Sequence, residues 1–338
     1  MGAPGDIATA VAGHLARANL AGHDSHGVLR IAQYAREAEQ GILNAGVRPA
    51  VLRKRGAVAI IDSRHGFGHP ATSLALEWCL RSARRQGLAA ATVVRANHIG
   101  RLGDYTETAA AAGLVAIVTV GVVGAGGVAP FGGRERFLGT NPWSIGIPAE
   151  ADAMVYDAAT SGVAEGKVRL ARAKRAAVPP GVIVDSEGTA TTDPNDYYAG
   201  GALLPVGGQV AGHKGYGLGL SAALLGGFAM LAEGTATSAG TGSTQGREPW
   251  MAGVFVEAID PDWFGDGAEY RRRVAAMLEA LRGQPPATGG GAVLVPGDPE
   301  RQSRERRRRE GVPVPEAVLS ELAAVAARLG VEPLARRH

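Results

Sequence analysis

Near the start of the chain the apolar residues Ile7, Val11, Leu15 and Ala18 recur at helical spacing, which predicts an amphipathic helix running to Leu20 with Asp6 as its cap. A second helix is expected from about Val28 to Gln40, stopped by Gly41. Ala57 to Asp62 reads as a strand, Pro70 to Gln86 as a helix that opens on proline, and Leu88 to Ala96 as a strand rich in Ala and Val. A polar turn at 97–103 leads into a short helix to Ala112, then a buried strand from Leu114 to Val120. This alternation predicts an α/β arrangement.

The middle of the chain is less regular. Short strands are expected at 144–147 and 154–156, a helix at 163–176 and a strand at 181–185. From Lys214 the chain reads as a glycine-rich helix, and 235–247 as a Gly/Ser/Thr loop. A strand at 254–256 precedes helices near 268–281, 299–309 and 315–329. The expected division is a helical N/C-terminal domain, 1–62 plus 266–338, and a central region, 63–265.

Polar islands interrupt this pattern. Gly22-His23-Asp24-Ser25-His26-Gly27-Val28-Leu29-Arg30 offers imidazole, hydroxyl, carboxylate and guanidinium within nine residues. Histidine gives and takes protons near neutral pH, and arginine suits a carboxylate. By spacing alone a polar turn with a helix cap is the favoured reading of this stretch.

Composition narrows the field. A chain of 338 residues with 46% hydrophobic and 20% charged residues has the make-up of a globular protein. One cysteine, Cys79, excludes an intramolecular disulfide and a cysteine-based zinc cluster, so no metal is expected. No basic-then-apolar leader is present, and the most apolar stretch, Leu218 to Leu231, is broken by glycines, so a cytoplasmic protein without a membrane span is expected. The net charge is +3, and the run from Arg304 to Arg309 carries glutamate and no aromatic residue, which favours a helix face over nucleic acid.

Two glycine clusters invite a dinucleotide fingerprint. Gly121 to Gly127 follows a strand, but Pro130 and Gly132-Gly133 come next, so no helix starts there to hold a pyrophosphate. Gly215-Tyr216-Gly217-Leu218-Gly219 opens a helix without a clear preceding strand. A dinucleotide, if used, must sit on another fold.

Seven segments in order resemble the malate/L-lactate dehydrogenase-like family of NAD(P)-dependent oxidoreductases. They are the 22–30 stretch, Asn97-His98-Ile99-Gly100-Arg101-Leu102-Gly103, the 132–142 stretch ending Leu138-Gly139-Thr140-Asn141-Pro142, Asp157-Ala158-Ala159-Thr160-Ser161, Thr192-Asp193-Pro194, Gly212-His213-Lys214-Gly215-Tyr216-Gly217 and Val295-Pro296-Gly297. The resemblance covers nearly the whole chain. It implies a non-Rossmann α/β fold with a mixed sheet and flanking helices, a homodimer, NAD (or NADP) as cofactor, and hydride transfer to or from a small 2-hydroxy or 2-oxo acid. It also implies that the central region, 63–265, is the cofactor-binding and substrate domain or domains.

Residue by residue, the resemblance implies catalytic roles in the His26 motif (Ser25 and His26) and at His98, members differing over which histidine is the acid/base. It implies substrate contacts at Arg30, Thr140, Glu165 and Gly166. It implies cofactor contacts at His98, Ile99, Gly100, Arg101 and Leu102, at Asp157, Ala158, Ala159 and Thr160, and at Lys214, Pro296 and Gly297. The chemistry agrees: an alkoxide needs a proton donor, and the substrate carboxylate needs a fixed cation.

Three departures stand out. The family's N-terminal helix is expected to be shortened. Lys167 stands where imine-reducing members carry aspartate, which argues for hydroxy-acid chemistry. Glu165 stands where a basic or neutral residue is common, and it would repel a second substrate carboxylate. Other readings remain: a hydrolase with Ser25 as nucleophile, weakened because adjacent Ser25 and His26 should diverge on a helix, and a non-catalytic dinucleotide-binding scaffold.

Overall fold

The computed structural model describes residues 1–232 and 250–332, so the loop expected at 235–247 lies outside the described residues. The first half runs α1 (Gly5–Leu20), α2 (Arg30–Glu39), β1 (Ala50–Arg55), β2 (Val58–Asp62), α3 (Gly68–Gln86), β3 (Leu88–Val94), α4 (Gly103–Ala111) and β4 (Val115–Val128). Then come β5 (Trp143–Ile147), β6 (Met154–Ala158), α5 (Glu165–Ala173), β7 (Ile183–Val184), β8 (Ala190–Thr191), α6 (Pro194–Tyr198) and β9 (Ala202–Leu203). The chain ends with α7 (Gly208–Gly226), β10 (Met251–Ile259), α8 (Gly267–Arg282), α9 (Asp298–Glu310) and α10 (Glu316–Leu329), and 3-10 turns lie at Asp24–His26, Gly227–Leu231 and Pro261–Trp263.

Among the described residues the strands form one mixed sheet of ten, in the order β1-β2-β3-β10-β4-β9-β7-β8, with β5 on β4 and β6 on β5. Among the described residues, only β2 with β3 and β4 with β9 pair in parallel. The main core lies where α3 and α4 cover one face, with Ala71, Cys79 and Tyr105 packed against Ile61, Val93, Val118 and Val256. Cys79 is fully buried there, as its apolar surroundings in the sequence suggested.

Strand side chains alternate between faces. Val118 and Val254 point into the α3 core, so Gly121 and Gly253 face the opposite way, where α7 lies. A Cβ on Gly121 would sit 2.5 Å from the carbonyl oxygen of Ala222, and one on Gly253 would strike the Gly226 carbonyl. Glycine here permits close approach of helix to sheet. The Gly121–Gly127 cluster is therefore the second half of strand β4, not a loop after a strand ending at Val120.

The terminal helices pack together: α1 contacts α3 and α9, and Val325 of α10 meets Ala32 and Ala35 of α2. Asp6 is not the cap of α1. Pro4 holds that position, and Asp6 pairs with Arg48 at 2.7 Å. Strand β1 went unread because its Arg53-Lys54-Arg55 tail is exposed, as charged edge strands commonly are. Helix α7 begins at Gly208, six residues before the expected start at Lys214, because Gly207 takes the left-handed turn (φ 96°) that starts it.

Candidate active site

A cavity of about 330 Å³ opens between the α2 start, the turn after β3, the glycine half of β4 and the 139–142 loop. Of the expected site residues, His26, Arg30, His98, Thr140 and Glu165 line it, as do Ile99, Gly100 and Leu102. Ser25, Arg101, Gly166, the 157–160 segment, Lys214 and Pro296-Gly297 are not among its walls.

The 22–30 stretch is rigidly held. Asn19, buried in α1, accepts from the Val28 amide at 2.9 Å and donates to Asp24 at 2.7 Å. A Cβ on Gly27 would collide with the Asn19 amide. Asp24 also takes two bonds from Arg307 of α9, at 2.5 and 2.9 Å, and Arg304 pairs with Glu107. Two arginines of the basic run thus turn inward and brace the site.

Ser25 and His26 sit on a 3-10 turn, and the Ser25 hydroxyl lies 3.0 Å from His26 Nδ1. The expectation that these neighbours diverge is overturned, because the turn is not an α-helix and His26 bends back over it. Arg30 opens α2, with its Nε donating to the Ser25 carbonyl at 2.6 Å and an Nη to Gln33 at 2.6 Å. His26 and Arg30 thus reach one cavity from two elements, not from a shared helix face.

His98 lies on the turn between β3 and α4, with its ring stacked on His26 at 5.5 Å between centroids. Its Nδ1 is 2.7 Å from the hydroxyl of Tyr34, and among the described residues no hydrogen bond is made by Nε2. Burial, then Arg30, His26 and His69, hold the His98 imidazole well below its ordinary range. Burial and Arg30 bring His26 down to about 3. Both rings are neutral at pH 7, beside a permanent cation.

Around this pair are residues that carried no motif. Tyr34 and His69 are both buried, at 2% and 0% exposure. Gln33 and Tyr197 also line the cavity, and the buried Tyr197 hydroxyl has no hydrogen-bond partner among the described residues. Asn141, at φ 34°, accepts from the Val122 amide and donates to Gly219 of α7, each at 2.9 Å, so it ties the 139–142 loop to strand and helix. Periodicity assigns Tyr34 to an ordinary core position of α2, and only its hydroxyl's neighbours separate it from one.

The remaining expected residues form a frame beside the cavity. Arg101 is buried and pairs with Glu107 at 3.0 Å and Asp157 at 3.5 Å, and Asp157 accepts from the Gly103 amide at 2.7 Å. Thr160 donates to the Thr140 carbonyl at 3.0 Å. Ala158 ends β6 and Ala159 follows it. Pro296 accepts from Val155, and Gly297 (φ 103°) starts α9. Lys214 is exposed on the outer face of α7. Glu165 accepts from Tyr198 at 2.7 Å, and Gly166 follows it in the first turn of α5.

Comparison with known proteins places this arrangement. The model of the family described as malate/L-lactate dehydrogenase matches residues 1–323. The chain is 34% identical to an L-sulfolactate dehydrogenase of Methanothermobacter thermautotrophicus, over 98% of this chain and 93% of that one. It is likewise 34% identical to hydroxycarboxylate dehydrogenase B of Escherichia coli O157:H7, over 98% and 90%. A solved structure described as a putative malate/lactate dehydrogenase from E. coli superposes with a TM-score of 0.87 at 34% identity, covering 98% of this chain and 91% of that one.

Proposed function

Because the chain belongs to the malate/L-lactate dehydrogenase family, and two relatives at 34% identity are named as an L-sulfolactate dehydrogenase and a hydroxycarboxylate dehydrogenase, we propose how its own residues carry out that oxidoreductase chemistry on a 2-hydroxy or 2-oxo acid. The observation that carries the reading is the meeting of Arg30 and His98 on one cavity, with His26 stacked behind. Arg30 holds the substrate carboxylate. His98 Nε2 gives a proton to the substrate oxygen in reduction and takes it in oxidation. His26 fixes the plane of the His98 ring, and the Ser25 hydroxyl bonded to His26 Nδ1 fixes that ring in turn. Thr140 contacts the substrate from the 139–142 loop.

The cavity fits a nicotinamide. Val120, Val122 and Val254 offer apolar walls for a flat ring, beside the backbone of Gly121, Gly126 and Gly253. When bound, the dinucleotide supplies or accepts the hydride. The 98–102 turn, the 157–160 segment, Lys214 and the Pro296-Gly297 turn are proposed to hold it, with NAD favoured on its frequency in the family. A cytoplasmic homodimer is proposed on the same footing.

Glu165 stands in the cavity wall. Its carboxylate disfavours a second substrate carboxylate, so the proposed substrate is a monocarboxylic 2-oxo acid or its 2-hydroxy partner, with malate poor. Absorbance of the reduced nicotinamide, followed with lactate-, malate- and sulfolactate-type substrates and each dinucleotide, tests this. Monocarboxylic acids should turn over fastest, and Glu165→Arg should raise malate relative to lactate. Preference for malate in the unaltered enzyme would overturn the assignment of Glu165. His98→Ala should lower turnover by roughly two to four orders of magnitude, the weight of a general acid.

A further inference from the structure

Behind His98 lies a set of buried polar groups that the proposed chemistry does not use. The Tyr34 hydroxyl sits between two imidazoles, 2.7 Å from His98 Nδ1 and 3.4 Å from His69 Nε2. His69, on the first turn of α3, is fully buried, and its Nδ1 has no partner among the described residues. A Cβ on Gly100 would come 2.8 Å from the His69 ring, so the turn carrying His98 closes directly over it. Beyond His69 lies His14 of α1, ring centroids 5.3 Å apart, and His14 Nδ1 is 2.5 Å from Asp104 of α4. Arg17 binds the same carboxylate at 2.7 Å.

We propose that Tyr34 and His69 are positioning residues that form a proton path behind His98, through which positive charge arising at His98 during turnover moves to His69. The proposal rests on His98 being the acid/base. In oxidation the substrate hydroxyl gives its proton to His98 Nε2 as the hydride leaves the carbon. His98 Nδ1–H then passes its proton to the Tyr34 oxygen, and the Tyr34 O–H passes its own to His69 Nε2. Tyr34 ends as a neutral phenol and His98 as a neutral imidazole, and His69 becomes the cation. Reduction runs the same transfers backwards.

Electrostatics supplies the reason for such a path. A charged His98 would face Arg30 of α2 and the rings of His26 and His69, which among the described residues are the charged and titratable groups that act on it most strongly. Burial, then His14 of α1, hold His69 well below its ordinary range too, with His26 and Arg17 adding to this, but His69 has the carboxylate of Asp104 acting to favour its charge. Glu37 of α2 lies on the Tyr34 side. Tyr34 itself stays un-ionised, because burial raises its phenol far above the usual range, so it can relay a proton without storing charge. Moving the cation away from Arg30 lets a buried histidine work beside the residue that binds the substrate.

Steady-state kinetics over pH, in both directions, test the path. Tyr34→Phe keeps the ring that packs on Phe67 and removes the relay. His69→Gln can still hydrogen-bond Tyr34 but cannot take a proton, so a merely structural role would survive it. Both variants should lower kcat roughly 10²-fold, the lower range of a general acid's contribution. The Michaelis constants for 2-oxo acid and dinucleotide should stay within about twofold, since only the reacting state is affected. The pH limb reporting the histidine unit should move to lower pH, because the charge must then stay beside Arg30. His98→Gln separates the two readings. If it abolishes turnover while His69→Gln keeps normal kcat and an unmoved limb, the path is wrong and the acid/base assignment stands. If His98→Gln turns over normally, the assignment itself falls.

Discussion

Arg30 acts on two groups at once. Its guanidinium lines the cavity, where it is proposed to anchor a carboxylate, and its charge depresses the neighbouring His98 imidazole, second only to burial. Arg30→Met should therefore cost roughly 2–5 kcal/mol of transition-state binding, the scale for removing one partner of a buried charge pair. It should also raise the pKa of His98, because a like charge is removed. Oxidation requires neutral His98, so its acid limb should move to higher pH, the reverse of the shift expected for Tyr34→Phe. Measured kcat/KM against pH checks both effects. An unchanged kcat/KM for every 2-oxo acid would place the carboxylate clamp elsewhere.

At the scale of elements, α7 packs backbone to backbone against the sheet. Gly121 of β4 and Gly226 of α7 face each other, and a side chain on either would meet backbone. Backbone cannot move aside as a flexible side chain can, so Gly121→Ala should destabilise the fold by roughly 1–3 kcal/mol, the usual cost of overpacking. Gly166→Ala is the control: nothing lies within 4 Å of its built Cβ and it sits in helix α5, so it should be neutral or stabilising by up to about 1 kcal/mol. Chemical denaturation of both variants checks the contrast. The same elements show why patterning misread β4. Its glycines carry the signature of a loop, yet here they answer to a helix that is distant in sequence.

At the scale of the whole molecule, the outward face of α7 is apolar. Val210, Leu218 and Leu224 are exposed on it, followed by Phe228 and Leu231 in the next 3-10 turn, and Trp250 is 68% exposed. Lys214 shares that exposed face. Such a stripe suits a subunit interface. Sedimentation should give a dimer, and Leu224→Asp should shift it towards monomer by placing an unpaired charge in the contact. A fully active monomer at micromolar concentration would refute the dimer. Among the described residues no helix is long and apolar enough to cross a membrane.

Sequence alone determined the element types over most of the chain, because helical and alternating periodicities are local properties of neighbouring residues. It also brought forward His26, Arg30 and His98, since imidazole and guanidinium in glycine-flanked polar turns are visible without a fold. Family resemblance in the order of seven short segments settled the class of chemistry, which no single segment could. What only the tertiary structure decided is which groups meet. Tyr34 falls within the expected second helix and His69 just ahead of the helix expected from Pro70, and neither carries a motif; α2 and α3 bring both against His98. Arg304 and Arg307 read as a solvated run until α9 packs on α1, and Ser25 seemed to point away from His26 until the turn proved to be 3-10. The physical reason is the same in each case. Periodicity tells which face of an element is buried, but hydrogen-bond partners and pKa values depend on distances of a few ångströms between residues far apart in the chain.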